Sequence, residues 1–294
     1  MVEPTQQPEK ESYSWFWTIF IIAVANIIIA TYLFIDLAQL WWVIFALGVL
    51  DALLVFFILI GQKRHEKVKD KDITATTFSR KMFNIISGLI FAFFIFIFGP
   101  QIALFILFGV DFAFGFHEIV YVRFKTRMYF TNAFIALGRQ SKPFKPYLAS
   151  IMALFGFTIA LGFQTFMFQY FGIPGDRYSV AMVYIATILI WGIGDTAAYF
   201  AGTRLGKHHL PYNKKKTWEG FCGNMGVGIG LGLFFFSPLI LSFMTPVWWI
   251  VLAISGGVGG AFFESVNLHL DDNFVSVALT GLLLGLLTIA ATII

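Results

Sequence analysis

WGIGDTAAYFAGTRLGKHHLPYNKKKTWEG, residues 191–220, poses the fold problem of this chain. An apolar run carries the carboxylate of Asp195 near its end and continues through small residues. It then meets Arg204, Lys207, His208, His209 and three successive lysines, and turns through Lys216-Thr217-Trp218-Glu219-Gly220 into the next apolar run. Two apolar helices joined by a short basic junction are the pattern of a membrane protein. Polarity of this kind at the junction asks for a phosphate-bearing ligand.

The composition of the rest agrees. Of 294 residues 59% are hydrophobic and 12% charged, and runs of about 20 apolar residues alternate with short polar stretches. A soluble globule is excluded by that balance. Residues 1–13 are polar and mixed in charge, which is not the pattern of a cleaved signal, so the first apolar run is expected to be a mature helix. The single cysteine, Cys222, has no partner for a disulfide or a thiolate metal site and is expected to be a small packing residue.

Nine spans are expected, near 15–34, 38–60, 82–98, 101–122, 147–171, 178–203, 219–243, 247–266 and 274–294. Gly99-Pro100 separates the third from the fourth, because proline cannot continue a helix. With the N-terminus in the cytoplasm, 19 of the 20 Lys and Arg fall inside, Arg177 being the exception, as the positive-inside rule requires. The fold class is therefore all-α, a polytopic transmembrane helical bundle. The net charge of +4 reflects loops and anionic head groups, and no nucleic-acid partner is implied.

This topology brings Asp195, the 204–219 loop, Glu264 and the His-Leu-Asp-Asp-Asn run at 269–273 to the cytoplasmic ends of the last four spans. Small residues recur every four positions: Gly194, Ala198, Gly202 and Gly206 in one helix, Gly220, Asn224, Gly228 and Gly232 in the next, then Gly256 and Gly260 leading to Glu264. Such stripes let helix backbones approach closely. Asp195 and Glu264 are different, because a carboxylate near hydrocarbon costs several kcal/mol unless it is paired or bound to a cation. Two acids beside a lysine cluster suggest a metal and phosphate site. If the ligand is a nucleoside triphosphate, Asp195, Glu219, Glu264, Asp271 and Asp272 offer carboxylates for magnesium. Arg204, Lys207 and Lys214 to Lys216 offer cations, and Lys216-Thr217 at a helix start offers a hydroxyl and backbone amides. Lys214 and Lys215 fit a solvated loop better than Lys216 does. No Walker pattern or kinase glycine loop is present.

Gly194-Asp195, Gly202, Gly206, Lys216-Thr217 and Glu219-Gly220 resemble the integral-membrane superfamily that uses CTP on lipids. It includes the dolichol, phytol and CTP-dependent diacylglycerol kinases, together with the phosphatidate cytidylyltransferases, or CDP-diacylglycerol synthases. Both branches carry the Lys-Thr-x-Glu-Gly element. The C-terminal Glu264-Ser265, Leu270-Asp271-Asp272-Asn273 and Gly281-Leu282-Leu283-Leu284 resemble the kinase branch, and Arg80-Lys81-Met82-Phe83-Asn84 resembles its Arg-Lys-x-x-His segment, with Asn84 in place of histidine. Asparagine can hydrogen-bond a phosphate but cannot titrate near neutrality.

The resemblance covers about 75–294 of what reads as a single membrane domain, leaving 1–60 as an accessory helix pair. It implies transfer of the CTP γ-phosphate to a lipid hydroxyl. Under it Asp195, Glu219, Glu264 and Asp271 are metal ligands for Mg2+, and Asp195, Lys216, Glu219, Asp271 and Asp272 are catalytic. Arg80, Lys81, Asn84, Arg204, Lys207, Thr217 and Asn273 bind nucleotide or phosphate. The alternative within the superfamily is cytidylyl transfer to phosphatidic acid. An alternative outside it is a transporter, for which intramembrane Asp51 and Asp111 are the best support.

The lipid acceptor is not legible, because diacylglycerol, phytol and polyprenols all present one hydroxyl above an apolar tail. A homodimer is compatible with the sequence, which does not decide it. A prokaryotic plasma membrane is favoured over endoplasmic reticulum. Asp111, His117 and Glu118 read as polar groups inside the bundle, the 66–80 segment as an ordinary polar loop, and the 37 Phe as lipid-facing bulk.

Overall fold

The computed structural model describes residues 73–124, 147–173, 177–268 and 270–293. The expected spans at 15–34 and 38–60, with Asp51, lie outside the described residues. By internal packing the chain divides into two compact units, Met1–Asp72 with Gly109–Leu148, and Ile73–Phe108 with Ala149–Ile294.

The described elements are α1 (Ile73–Phe98), α2 (Pro100–Phe124), α3 (Leu148–Phe171), α4 (Arg177–Arg204), β1 (His209–Leu210), β2 (Asn213–Thr217), α5 (Trp218–Phe235), α6 (Pro246–Ser265) and α7 (Asp272–Ile293). Among the described residues five helices are long and apolar enough to cross a membrane, and they lie within α2, α3, α4, α6 and α7. The chain is thus all-α and has the character of a membrane protein; among the described residues the exception is one small antiparallel hairpin in which His209 faces Thr217 and Leu210 faces Asn213.

Local chemistry explains most boundaries. Gly99 takes a φ of +83°, which a residue with a Cβ rarely adopts, and Pro100 then opens α2, so the break expected at Gly99-Pro100 is present. Thr217 caps α5 by accepting from the Gly220 N–H at 3.2 Å, and Thr245 caps α6 with Pro246 in its first turn. Two boundaries depart from expectation. Helix α1 begins at Ile73, so 73–80 extends the helix instead of forming a loop. Helix α5 ends at Phe235, where Ser237-Pro238 follows, so its 18 residues span roughly 27 Å at 1.5 Å per residue.

In the larger unit α4 is the hub. It packs against α1, α5, α6 and α7, and 78% of its apolar window is buried. Trp191 meets Phe157 edge to face at 5.0 Å, and Phe157 in turn contacts Phe91 at 5.9 Å. Phe93, Phe108, Phe166 and Phe234 are exposed, as lipid-facing bulk should be, whereas Phe91, Phe94 and Phe157 are core residues. Gln164 of α3, fully buried, donates to Thr187 Oγ1 at 3.2 Å and to the Gly281 carbonyl at 2.7 Å, tying α3 to α4 and α7.

The small-residue stripes do the close packing. A Cβ on Gly228 would stand 2.7 Å from Gly257 Cα, and one on Gly232 would stand 2.6 Å from Ala253 Cα, so α5 and α6 touch backbone to backbone. On the other side a Cβ on Gly220 would lie 2.9 Å from the Ala198 carbonyl, and one on Gly194 would overlap the Asn224 amide. Gly256 and Gly260 face Ile190 of α4, and Gly257 is the residue that meets α5. Cys222 is exposed, contrary to the expected packing role, because α5 buries Gly220, Asn224, Gly228 and Gly232 and a residue two positions on points about 200° away.

In the smaller unit, Glu118 accepts the Tyr147 N–H at 2.8 Å, and the His117 ring lies 5.8 Å from that of Tyr147. Both ionisable side chains are buried, in keeping with polar groups that serve packing.

The α5 stripe yields a paired test. Gly228→Ala and Gly232→Ala should each destabilise by about 1–3 kcal/mol, the usual cost of overpacking. Gly226→Ala and Gly230→Ala have nothing within 4 Å of the added carbon, and should be neutral or stabilising by up to about 1 kcal/mol through helix propensity. Unfolding midpoints in detergent micelles measure the difference. Equal effects at all four positions would contradict the packing.

Candidate functional site

Six elements of the larger unit contribute polar groups to one end of its helices. Asp195 lies nine residues before the end of α4, about 13 Å along the axis, within the apolar span and 5% exposed. Glu264 stands at the penultimate position of α6 and is equally buried. Neither acid is left alone. Lys81 of α1 forms an ion pair with Asp195 Oδ1, and Lys216 of β2 forms one with Glu264 Oε1.

Each carboxylate also holds an asparagine. Asn84, one helical turn beyond Lys81, donates to Asp195 Oδ2 at 3.4 Å. Asn224 of α5 donates to Glu264 Oε2 at 3.2 Å. The site is therefore built as two matching sets, lysine with carboxylate with asparagine, contributed by α1 and α4 on one side and by β2, α5 and α6 on the other. The sets share one electrostatic field. Burial alone would lower the pKa of Lys216, but the carboxylates of Glu264, Asp195 and Asp272 outweigh it and raise the pKa above the ordinary lysine value. The ammonium stays charged, and two lysines balance two acids in a region of low dielectric.

The glycine stripe makes room for this. Asn224 Oδ1 lies against Gly194, next to Asp195, where any side chain would overlap it. That oxygen is buried and has no hydrogen-bond partner among the described residues.

The other expected residues take different positions. Thr217 Oγ1 accepts the Gly220 N–H as the α5 cap. Glu219, in the first turn of α5, accepts from His208 Nδ1 at 2.8 Å and from the His208 N–H at 3.4 Å, and so closes the base of the hairpin. Asp271 accepts the Asn273 N–H at 3.0 Å and starts α7, which places Asp272 in the first turn where Lys216 senses its charge. Arg204 is exposed at the end of α4, with its guanidinium 5.5 Å above the Phe200 ring, and Lys207 is exposed beyond it. Arg80 lies in α1 with its side chain outside the described set, as is His269. Among the described residues no three His, Cys, Asp or Glu side chains gather into a metal-holding group. Asp195, Glu219, Glu264 and Asp271 therefore do not form one cluster.

Sequence reasoning missed three contributions. Asn224 was legible as a polar break in a glycine stripe, but not as a partner of Glu264. The Lys81–Asp195 pair joins residues 114 positions apart and leaves no local trace. Tyr212 and Asn213, which reach Ser265, lie in a loop without periodicity.

No protein-family model matches the chain, and no solved structure matches it. Among curated proteins it is similar to a probable phytol kinase 3, chloroplastic, of Glycine max, with 30% identity over 132 residues. The match covers 38% of this chain, and the chain spans 40% of the length of that curated relative.

The ion pairs can be tested apart from any activity. Lys81→Met leaves the Asp195 carboxylate buried without its cation and should destabilise by about 3–5 kcal/mol. Asp195→Asn, the converse, strands the ammonium. The double variant should recover much of the loss, and a coupling near zero in the double-mutant cycle would show that the two side chains are not paired.

Proposed function

We propose that this chain is a CTP-dependent lipid kinase, transferring the γ-phosphate of CTP to the hydroxyl of a membrane lipid alcohol and releasing CDP. The observation that carries this reading is the pairing of a buried lysine, Lys81, and a half-buried one, Lys216, with two buried carboxylates at one end of an apolar helix bundle. The likeness to a phytol kinase supports it. Phosphoryl transfer needs little covalent help from a protein; it needs positioning and neutralisation of phosphate charge. Lysines held on carboxylates supply cations that a triphosphate can recruit without first desolvating them.

In this reading Lys81 and Lys216 exchange carboxylate oxygens for phosphate oxygens. Asp195 and Glu264, so released, face the substrate with the unpartnered Asn224 Oδ1. These are hard oxygen donors, and a magnesium ion characteristically takes one or two carboxylates and completes its shell with water and substrate phosphates. The donor set therefore fits Mg2+ brought with CTP, even without a third acid. When bound, the ion would neutralise charge on the phosphate oxygens. Asn84 and Asn224 keep the two carboxylates aimed.

Asp272, which lies within the field of Lys216, is the acid assigned to take the proton of the attacking hydroxyl. The lipid oxygen forms its bond to the γ-phosphorus as the bond to the β–γ bridging oxygen breaks. Arg204 and Lys207 stand on the exposed approach, suited to the outer part of the nucleotide. The acceptor hydroxyl arrives at head-group level, on the cytoplasmic side.

Purified protein with Mg2+, mixed lipid alcohols and phosphatidic acid, and CTP labelled in parallel at its α or γ phosphate, tests the proposal. The expected result is γ label in extracted lipid with CDP released. Asp195→Asn and Lys216→Met should lower that turnover by about 10²- to 10³-fold, the usual effect of removing one preorganised charge-stabilising group. Label from the α position, with pyrophosphate released, would make the protein a cytidylyltransferase instead.

A further inference from the structure

Lys216 is the most exposed member of the two ion pairs, with 30% of its side chain accessible against 6% for its partner Glu264. It sits on a five-residue strand of a two-stranded hairpin rather than on a packed helix. The base of the hairpin is closed by the Trp218 N–H donating to the His208 carbonyl at 2.8 Å and by the His208–Glu219 contact. A strand held only there could swing, and a lysine with four rotatable carbons would gain nothing from it in positioning.

The tip of the hairpin is tied down separately. Asn213 Nδ2 donates to the Ser265 carbonyl at 2.8 Å, and Tyr212 Oη lies 2.9 Å from Ser265 Oγ. Ser265 Oγ donates its one proton to the Phe262 carbonyl at 2.8 Å, so Tyr212 is the donor in the second contact. Ser265 is the last residue of α6, where helix carbonyls lack partners within the helix, and the Asn213 amide satisfies one of them. Asn213 also accepts the Lys215 N–H at 3.1 Å through its other amide atom, which fixes the strand just before Lys216.

These contacts close a ring. It runs from Asn213 along the strand to Lys216, across the ion pair to Glu264, along one peptide to Ser265, and back through the amide to Asn213. Lys216 thus stands three residues, and Glu264 one residue, from a second, independent attachment between the same two elements.

We propose that Tyr212 and Asn213 are positioning residues: by clasping the hairpin to Ser265 they hold the Lys216 ammonium at Glu264 before any phosphate arrives. Their consequence for catalysis rests on the kinase reading, whereas their effect on Lys216 does not. The clasp lowers the entropy that Lys216 would lose on engaging a ligand, the usual route by which preorganisation raises affinity or rate.

Amine acetylation of the intact protein in detergent, followed by peptide mass spectrometry, reads the ammonium directly. In the wild-type protein Lys216 should label more slowly than its exposed neighbours Lys214 and Lys215. Tyr212→Phe, which removes one hydrogen bond, should speed labelling of Lys216 by about 2- to 10-fold, and Asn213→Ala, which removes two, by at least as much. Lys81, paired with Asp195 on another helix, should label at an unchanged rate. No change at Lys216, or an equal rise at Lys81, would overturn the proposal, the latter by showing general loosening. The labelling uses no nucleotide, so it judges the clasp even if CTP proves not to be the donor. With CTP, the same two variants should lose kcat/KM by a similar factor, and a normal kcat/KM beside fast Lys216 labelling would remove the clasp from catalysis.

Discussion

A carboxylate cannot stay ionised inside an apolar helix bundle without a cation, and that requirement organises this protein. Asp195 and Glu264 are each 5% exposed. A lone buried charge costs several kcal/mol even after the protein relaxes. Each acid is therefore tied to a lysine from an element distant in sequence, α1 for Asp195 and the hairpin for Glu264. The pairs constrain where α1 and the hairpin can lie against α4 and α6. Such pairs are a weak source of net stability compared with apolar packing of equal volume, so their presence points to use rather than to strength.

Close helix packing is what allows the two pairs to share a field. Glycines on α4, α5 and α6 bring backbones together until an added methyl would collide, and they leave a recess at Gly194 that receives the Asn224 amide. Side chains of ordinary size on those faces would separate α4 from α6 and push the acids apart. The hairpin then closes the cluster from above, anchored at its base by His208 and Glu219 and at its tip by Ser265. Packing of small residues and placement of charge are two parts of one construction.

Much of this was legible in the sequence because its signals are local. An acid in an apolar run stands out wherever it falls, so Asp195 and Glu264 could be singled out. The four-residue spacing of small residues exposed the contact faces, and Gly99-Pro100 marked a helix break. What local signals did not carry was non-local pairing and the capping contacts of single side chains. Lys81 could be read as a phosphate ligand but not as the partner of Asp195. Asn224 sat in the stripe with no hint of Glu264, 40 residues away. Asp271 and Thr217 offered oxygens that helix starts claimed for capping. The polar 73–80 segment gave no sign that it would continue α1 outward, and α5 stopped short because Pro238 lies near its end.

The kinase reading asks that these charge pairs open to a nucleotide. The most direct measurement is an electron cryo-microscopy structure of the protein in lipid nanodiscs with Mg2+ and a non-hydrolysable CTP analogue. The account predicts the triphosphate between the two lysine–carboxylate sets, with the ammonium groups of Lys81 and Lys216 within hydrogen-bond distance of phosphate oxygens and with Asp195 and Glu264 turned toward the metal. A nucleotide bound elsewhere while both ion pairs remain closed would contradict it.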